Sequence, residues 1–262
     1  MNRFKKIGCV YDNESTRATN AYLDLKKQYN IIDAIKNPND DYDIIITLGG
    51  DGIMLRTLHL FMKKNIPIYG MNQGSIGFLL NKYSDKNLLI TLNNASETII
   101  HPLEMKVTTV QNTVKTALAV NEVSLLRESS QSAHIKISIN EKVRLNSLIA
   151  DGVLVCTPAG STAYNYAAYG PILPLNSNIL ALTAICPFRP RRWQGALLPR
   201  QSTVKLEIQN SDKRPVGAIA DYTEIRDVKN VMIHERHDIK MKILFDKDNK
   251  LEEQILKEQF MY

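Results

Sequence analysis

The segment Asp43-Ile-Ile-Ile-Thr-Leu-Gly-Gly-Asp-Gly52 constrains the fold of this chain more than any other. Its apolar run reads as a buried strand that stops at three glycines set around one carboxylate. An amphipathic stretch, Ile53 to Lys64, follows at once and reads as a helix. Strand, glycine turn and helix in succession gather backbone N–H groups at a helix N-terminus, where an anion such as phosphate is favoured. Asp51 conflicts with that use, because a carboxylate repels phosphate unless a metal or a proton transfer is involved. The conflict argues against a structural turn and for nucleotide chemistry.

The chain has 262 residues, enough for one large domain or two smaller ones. Up to about residue 95 it alternates strand-like and helix-like segments, the pattern of an α/β layer. Strands are expected at Ile7–Tyr11, Ile44–Leu48 and Pro67–Met71, and helices at Thr16–Tyr29, Ile53–Lys64 and from an N-cap at Ser84 to about Asn94. After His101-Pro102 short strand-like runs separated by turn residues take over: Met105–Val110, Thr116–Val120, His134–Ile139, Val143–Leu148, Val204–Ile208, Val216–Ala220, Val231–His234 and Ile239–Phe245. Asn140-Glu141 suits a hairpin tip. The expected fold is an α/β N-terminal domain over residues 1–98 and a β-rich, antiparallel β-sandwich-like C-terminal domain over 99–245. A helix at Asn249–Gln259 is expected to pack back on the first domain, giving 246–262 to it.

Composition narrows the function classes. No apolar run approaches the roughly 18 residues that span a bilayer, and the N-terminus lacks the h-region of a signal peptide, so a cytoplasmic protein is expected. Cys9, Cys156 and Cys186 are far apart in apolar surroundings and read as buried reduced thiols, neither a metal set nor a disulfide framework. A net charge of +6 would help to gather anionic small molecules. Nucleic-acid binding would need a basic stripe interleaved with aromatics, and none is clear. The densest basic cluster, Arg189-Pro-Arg-Arg192, reads as a solvated loop, with a ligand or subunit contact as the other reading.

Four further features bear on chemistry. Asn72-Gln-Gly-Ser-Ile-Gly-Phe78 is a second glycine-bearing loop directly after a strand. Arg56, on the helix after Asp51, is close enough to join an anion site; His59 reads as a packed or surface helix residue. Asn121-Glu122 places an amide beside a carboxylate at the end of the run Ala117–Val120, suited to a ribose or an amide-bearing ring but common at hairpin ends. The fourteen-residue string Asp151-Gly-Val-Leu-Val-Cys-Thr-Pro-Ala-Gly-Ser-Thr-Ala-Tyr164 runs from an apolar strand into a turn of small residues and hydroxyls. Such a turn at a helix start makes a good anion or sugar site, although a plain N-cap at Ser161 or Thr162 is the simpler use of those hydroxyls.

Taken together, Gly49-Gly-Asp-Gly52, Asn121-Glu122, Asp151-Gly and Thr157-Pro-Ala-Gly-Ser-Thr-Ala-Tyr164 resemble the NAD kinases in order and spacing, over roughly Lys6 to Phe245. The resemblance implies an α/β nucleotide-binding domain, a β-rich domain and a ligand held between them. It implies transfer of the γ-phosphoryl of ATP, or of polyphosphate, to the 2′-hydroxyl of the adenosine ribose of NAD. Asp51 would then be the general base. Gly50, Asp51 and Gly52 would lie by phosphates and ribose, with Arg56 near them, and Phe78 would pack near adenine. Asn121 and Glu122 would hold ribose hydroxyls or the dinucleotide, and Asp151 would meet the nicotinamide end. Ala159, Thr162, Ala163, Tyr164 and Ala167 would line the pocket around the adenine and nicotinamide moieties. Mg²⁺ or another divalent cation would accompany ATP, ligated mostly by phosphates and water with no protein metal ligand. A homo-oligomer, dimer or tetramer, is implied as well. Three positions depart from the common family pattern: Ala167 for serine, Ile149-Ala150 for arginine and glycine, and Asp221-Tyr222-Thr223 for Asp-Gly-Gln.

The Gly-Gly-Asp-Gly turn also occurs in diacylglycerol- and sphingosine-type lipid kinases and in phosphofructokinase-like enzymes. The former usually carry threonine at the position of Ile53 and lack the Asp151–Tyr164 string; the β-rich second half disfavours the latter. A non-catalytic NAD-binding sensor would gain nothing from a carboxylate beside phosphates.

Overall fold

The computed structural model describes residues 3–74 and 77–247. The helix expected at Asn249–Gln259 lies outside them. The described residues divide into two compact units, one running to Ile100 and resuming at Ile239, the other His101–Asp238.

The first unit is built on strands β1 (Ile7–Tyr11), β2 (Ile31–Asp33), β3 (Ile44–Gly49), β4 (Ile68–Asn72), β5 (Asn81–Lys82) and β6 (Ser96–Ile100), with helices α1 (Thr16–Gln28), α2 (Asp51–Phe61) and α3 (Leu88–Asn94). β1, β2, β3 and β4 pair in parallel, and β3 is buried along its whole length, as a strand covered on both faces should be. Ser15 caps α1, its hydroxyl accepting from the Ala18 N–H at 3.3 Å. Ser84 does not cap α3; Asn87 occupies the N-cap position, without a side-chain cap bond, in a left-handed conformation that asparagine tolerates. Ser84 instead accepts the Lys86 N–H in a local turn.

The second unit comprises β7 (Leu103–Thr109), β8 (Val114–Ala119), β9 (Glu122–Arg127), β10 (Ala133–Ile139), β11 (Lys142–Ala150), β12 (Gly152–Cys156), the single turn α4 (Tyr164–Ala167), β13 (Ile179–Ile185), β14 (Gly195–Pro199), β15 (Val204–Ile208), β16 (Val216–Ala220), β17 (Thr223–Ile225) and β18 (Val228–Glu235). They form two antiparallel sheets, β11-β10-β15-β18-β7-β8 and β14-β13-β12-β9-β16-β17. Inward residues of both sheets, Met105, Val107, Ile135 and Val231 from one and Val123, Leu125, Val153 and Val155 from the other, share one buried cluster. Asn140 and Glu141 both have positive φ, as a two-residue hairpin turn of type I′ requires.

One boundary is corrected. The run assigned to the β-rich domain at Ile239–Phe245 contains β19 (Met241–Phe245), which belongs to the first unit. There it pairs with β4 in parallel and β6 antiparallel. Four of its five residues are buried, the pattern of a strand enclosed within an α/β sheet. Among the described residues no helix is long and apolar enough to cross a membrane.

Candidate functional site

In the first unit β3 delivers the chain to Gly49 and α2 begins at Asp51, two residues earlier than the amphipathic pattern indicates. Gly50 is the N-cap and has no side chain to satisfy the helix's free N–H groups. A Cβ added at Gly50 or Gly52 would meet nothing within 4 Å, so both glycines border open space. A Cβ at Gly74 would come within 4.0 Å of the Gly50 Cα, which sets the second glycine loop alongside the first. The Gln73 N–H donates to the Gly49 carbonyl at 2.9 Å and the Gly74 N–H to Asn72 Oδ1 at 2.8 Å.

Asp51 joins these loops. Its Oδ2 accepts the Phe78 N–H at 2.9 Å and its Oδ1 accepts the Leu79 N–H at 3.2 Å. The carboxylate therefore has the structural role that its conflict with phosphate argued against. The two roles coexist, because each carboxylate oxygen keeps a second acceptor direction after one hydrogen bond. Burial raises the Asp51 carboxyl above the usual range, and the bonds from Phe78 and then Leu79 offset part of the rise. The result is a carboxylate locked in orientation and more basic than an exposed one. Phe78 is half-buried, whereas Arg56 is exposed on α2. Five residues past Asp51, Arg56 points roughly 140° away around the helix. Lys82, with Asn72, Gly74 and Gly77, lines a cavity of about 330 Å³ that sequence reasoning did not anticipate.

In the second unit the strand register arranges the motif residues. Antiparallel pairing sets Cys156 opposite Glu122 and Gly152 opposite Leu126. Thr157 thus falls beside Asn121: its N–H donates to the Asn121 carbonyl at 2.9 Å and its hydroxyl to the Val120 carbonyl at 2.7 Å. A Cβ at Gly160 would lie 2.3 Å from the Asn121 carbonyl oxygen, so only glycine lets the turn close there. Glu122 does not end a strand; it opens β9. Asp151 lies at the far end of the β9–β12 pair, roughly 17 Å along the strand from Glu122, and its carboxylate is ion-paired with Arg127. Arg127 supplies a basic group next to Asp151 although Ile149 and Ala150 precede it.

Tyr164 draws the two ends together. The turn Thr157–Ala163 folds back so that Tyr164, like Leu126, packs against the buried cluster of Leu154, Cys156, Leu173, Ala181 and Ile185. Its phenol is raised by burial first and then by Cys186, Glu122 and Asp151. Ala159 is buried, Thr162 half-buried, and Ala163 and Ala167 exposed. Ser161 serves the fold, its hydroxyl donating to the Pro158 carbonyl at 2.7 Å and accepting the Leu173 N–H at 3.0 Å. Thr223, exposed, starts β17.

Two residues support the site in ways the sequence does not indicate: Asp221 stands out there only as part of a departure from the family pattern, and Asn165 not at all. Asp221, in the β16–β17 turn at positive φ, accepts three backbone N–H groups, from Val120 at 2.6 Å, Asn121 at 3.0 Å and Glu122 at 3.2 Å. Aspartate in so tight a left-handed turn is a recognisable signal, but its partners are not. Asn165, fully buried, donates to the Ser161 and Pro171 carbonyls and accepts from the Thr183 hydroxyl at 2.6 Å, anchoring α4. The Glu122 carboxyl has one oxygen, Oε2, buried with no hydrogen-bond partner among the described residues. Burial and the Asp221 charge push its pKa up to about 7.

Comparison with known proteins adds independent weight. The sequence profile of the ATP-NAD kinase N-terminal domain matches residues 3–100, and that of the ATP-NAD kinase C-terminal domain matches residues 120–235. An NAD kinase of Rickettsia bellii (strain OSU 85-389) is 46% identical over 255 residues, covering 97% of this chain and 98% of the relative. An NAD kinase of Rhizobium meliloti (strain 1021) is 52% identical over 221 residues, 84% of this chain and 86% of the relative. In fold, yeast NADH kinase complexed with NADH superposes with a TM-score of 0.85 at 20% identity, covering all of this chain and 90% of that one. An Archaeoglobus fulgidus NAD kinase in complex with ATP gives 0.77 at 19% identity, over 98% and 100%. The chain belongs to the NAD kinase family.

Proposed function

We propose that this protein transfers the γ-phosphoryl group of ATP to the 2′-hydroxyl of the adenosine ribose of NAD, forming NADP. The observation that carries the reading is the Asp51 carboxylate, oriented by two N–H groups at the edge of open space between two glycine turns. Asp51 accepts the proton of the ribose hydroxyl as the new O–P bond forms. Phosphoryl transfer otherwise needs alignment and charge stabilisation, which backbone N–H groups and a cation provide. Gly50 and Gly52 let phosphate or ribose approach the main chain, and Phe78 offers a ring face to adenine. Asn121 and Glu122 hold ribose hydroxyls; Asp151, Thr162, Ala163 and Tyr164 contact the rest of the dinucleotide, with Ala159 and Ala167 alongside. Arg56 contributes positive charge on the approach. Mg²⁺ would enter as part of the Mg–ATP substrate, ligated mostly by phosphates and water, as a small hard cation that keeps its waters tends to be. Cytoplasmic location and assembly into a dimer or tetramer belong to the same proposal.

The direct test is purified protein with Mg–ATP or Mg–polyphosphate and NAD, assayed for NADP. NADP formation with at least one donor is expected. None with either donor rejects the reading, and phosphorylation of a lipid alcohol in its place would establish a lipid kinase. A sharper test uses Gly50→Ala. The added methyl meets only open space in the protein, so stability should change by less than about 1 kcal/mol. A methyl placed where substrate approaches should raise KM roughly tenfold, about 1.4 kcal/mol. Thermal melting and steady-state kinetics on the same preparation give both numbers, and an unchanged KM would put the substrate elsewhere.

A further inference from the structure

Glu122 combines three properties that a simple hydroxyl-binding carboxylate does not need. Its Oε2 is buried without a partner among the described residues. The backbone of Glu122 is tied to Asp221 twice, since its N–H donates to Asp221 Oδ1 at 3.2 Å and its carbonyl accepts the Asp221 N–H at 3.2 Å. That places a second carboxylate against it, and it is Asp221, not Glu122, that accepts the N–H groups of Val120, Asn121 and Glu122. The other ionisable groups that sense Glu122 are Cys156, opposite it on β12, and Tyr164 on α4. None of these can be a cation, so none of these neighbours favours the charged form.

We infer that dinucleotide binding is proton-linked at Glu122: the free protein carries a proton on this carboxyl and releases it to solvent when two ribose hydroxyls donate hydrogen bonds to the carboxylate. The inference rests on the reading that NAD occupies this site. Burial and Asp221 place the free group near pH 7, inside the physiological range. The sign follows. Below that pH, binding must first remove the proton, so affinity weakens by about tenfold for each unit of acidification. Above it the carboxylate is already formed and affinity levels off. Glu122 thereby sets how tightly the protein holds NAD as pH changes.

The test is calorimetric titration of the full chain with NAD from about pH 5.5 to about pH 8.5, in two buffers of different ionisation enthalpy. The expected result is a dissociation constant that falls roughly tenfold per unit up to about pH 7 and then flattens, with release of up to one proton on the acid side. E122Q should bind NAD with no such slope and no proton release. D51N, which removes the other buried site carboxylate, should keep both. A pH-independent affinity, proton uptake, or a slope that survives E122Q overturns the inference and leaves the kinase reading standing. Failure of the wild-type chain to bind NAD at any pH overturns both. Should E122Q not fold, infrared difference spectra of the wild-type protein near pH 6 decide: loss of a protonated-carboxyl band on adding NAD supports the linkage, and an unchanged band overturns it.

Discussion

Asp51→Asn is expected to lower kcat roughly 10²–10⁴-fold, the range a positioned general base contributes, while NAD affinity stays within several-fold. The amide cannot take the ribose proton. It also cannot reproduce the loop clamp: one atom becomes an NH₂ group facing either the Phe78 or the Leu79 N–H, donor against donor. A second, smaller effect follows, a loss of about 1–3 kcal/mol from one unsatisfied backbone donor. The two separate in measurement. Single-turnover rates at saturating NAD report the proton transfer, and denaturant unfolding reports the loop. A variant that loses stability but keeps its rate would show that the carboxylate only ties the loops. The pH dependence has a definite sign too. Because burial raises the Asp51 carboxyl, the base is lost by protonation at higher pH than for an exposed aspartate, so kcat should fall on acidification earlier than an unperturbed carboxylate allows.

The first unit shows where sequence reasoning reaches and where it stops. The β3 run is buried at every position and the turn after it is read directly, because burial and glycine chemistry are local properties. β19 was legible as a strand but not as a member of the first sheet. Asn81 decides that: its Nδ2 donates to the Gly70 and Leu244 carbonyls and its Oδ1 accepts the Asp246 N–H. One buried amide thus ties β4 to a strand more than 160 residues away, and no local pattern announces the pairing. The candidate site divides in the same way. Asp51, Asn121, Glu122 and Asp151 stand out by residue type. Their separation does not: only the β9–β12 register shows that Asp151 and Thr157 sit at opposite ends of a strand, with Tyr164 folded back toward both.

The largest stability effect is expected at Asp221, a residue that sequence reasoning noted only for its unusual neighbours. Asp221→Ala removes the acceptor of three backbone N–H groups at once. Each hydrogen bond to a charged acceptor contributes about 1.5–3 kcal/mol. The three are not additive, since water can reach part of this half-buried turn, and a total loss of about 3–5 kcal/mol is expected. That is a large share of the roughly 5–15 kcal/mol that holds a typical domain together. Trp193 gives a clean readout, because it is the chain's single tryptophan and packs against the core of the second unit. Its fluorescence should show the variant unfolding at markedly lower urea with an unchanged slope. Asp221→Asn should fall between the two, since it keeps one oxygen for part of the set. NAD binding should weaken with Asp221→Ala even under conditions where the variant is folded, because Asn121 and Glu122 lose the anchor that holds their backbone. A shift below about 1 kcal/mol would mean that the Val120–Glu122 backbone is held by Thr157 and Gly160 alone.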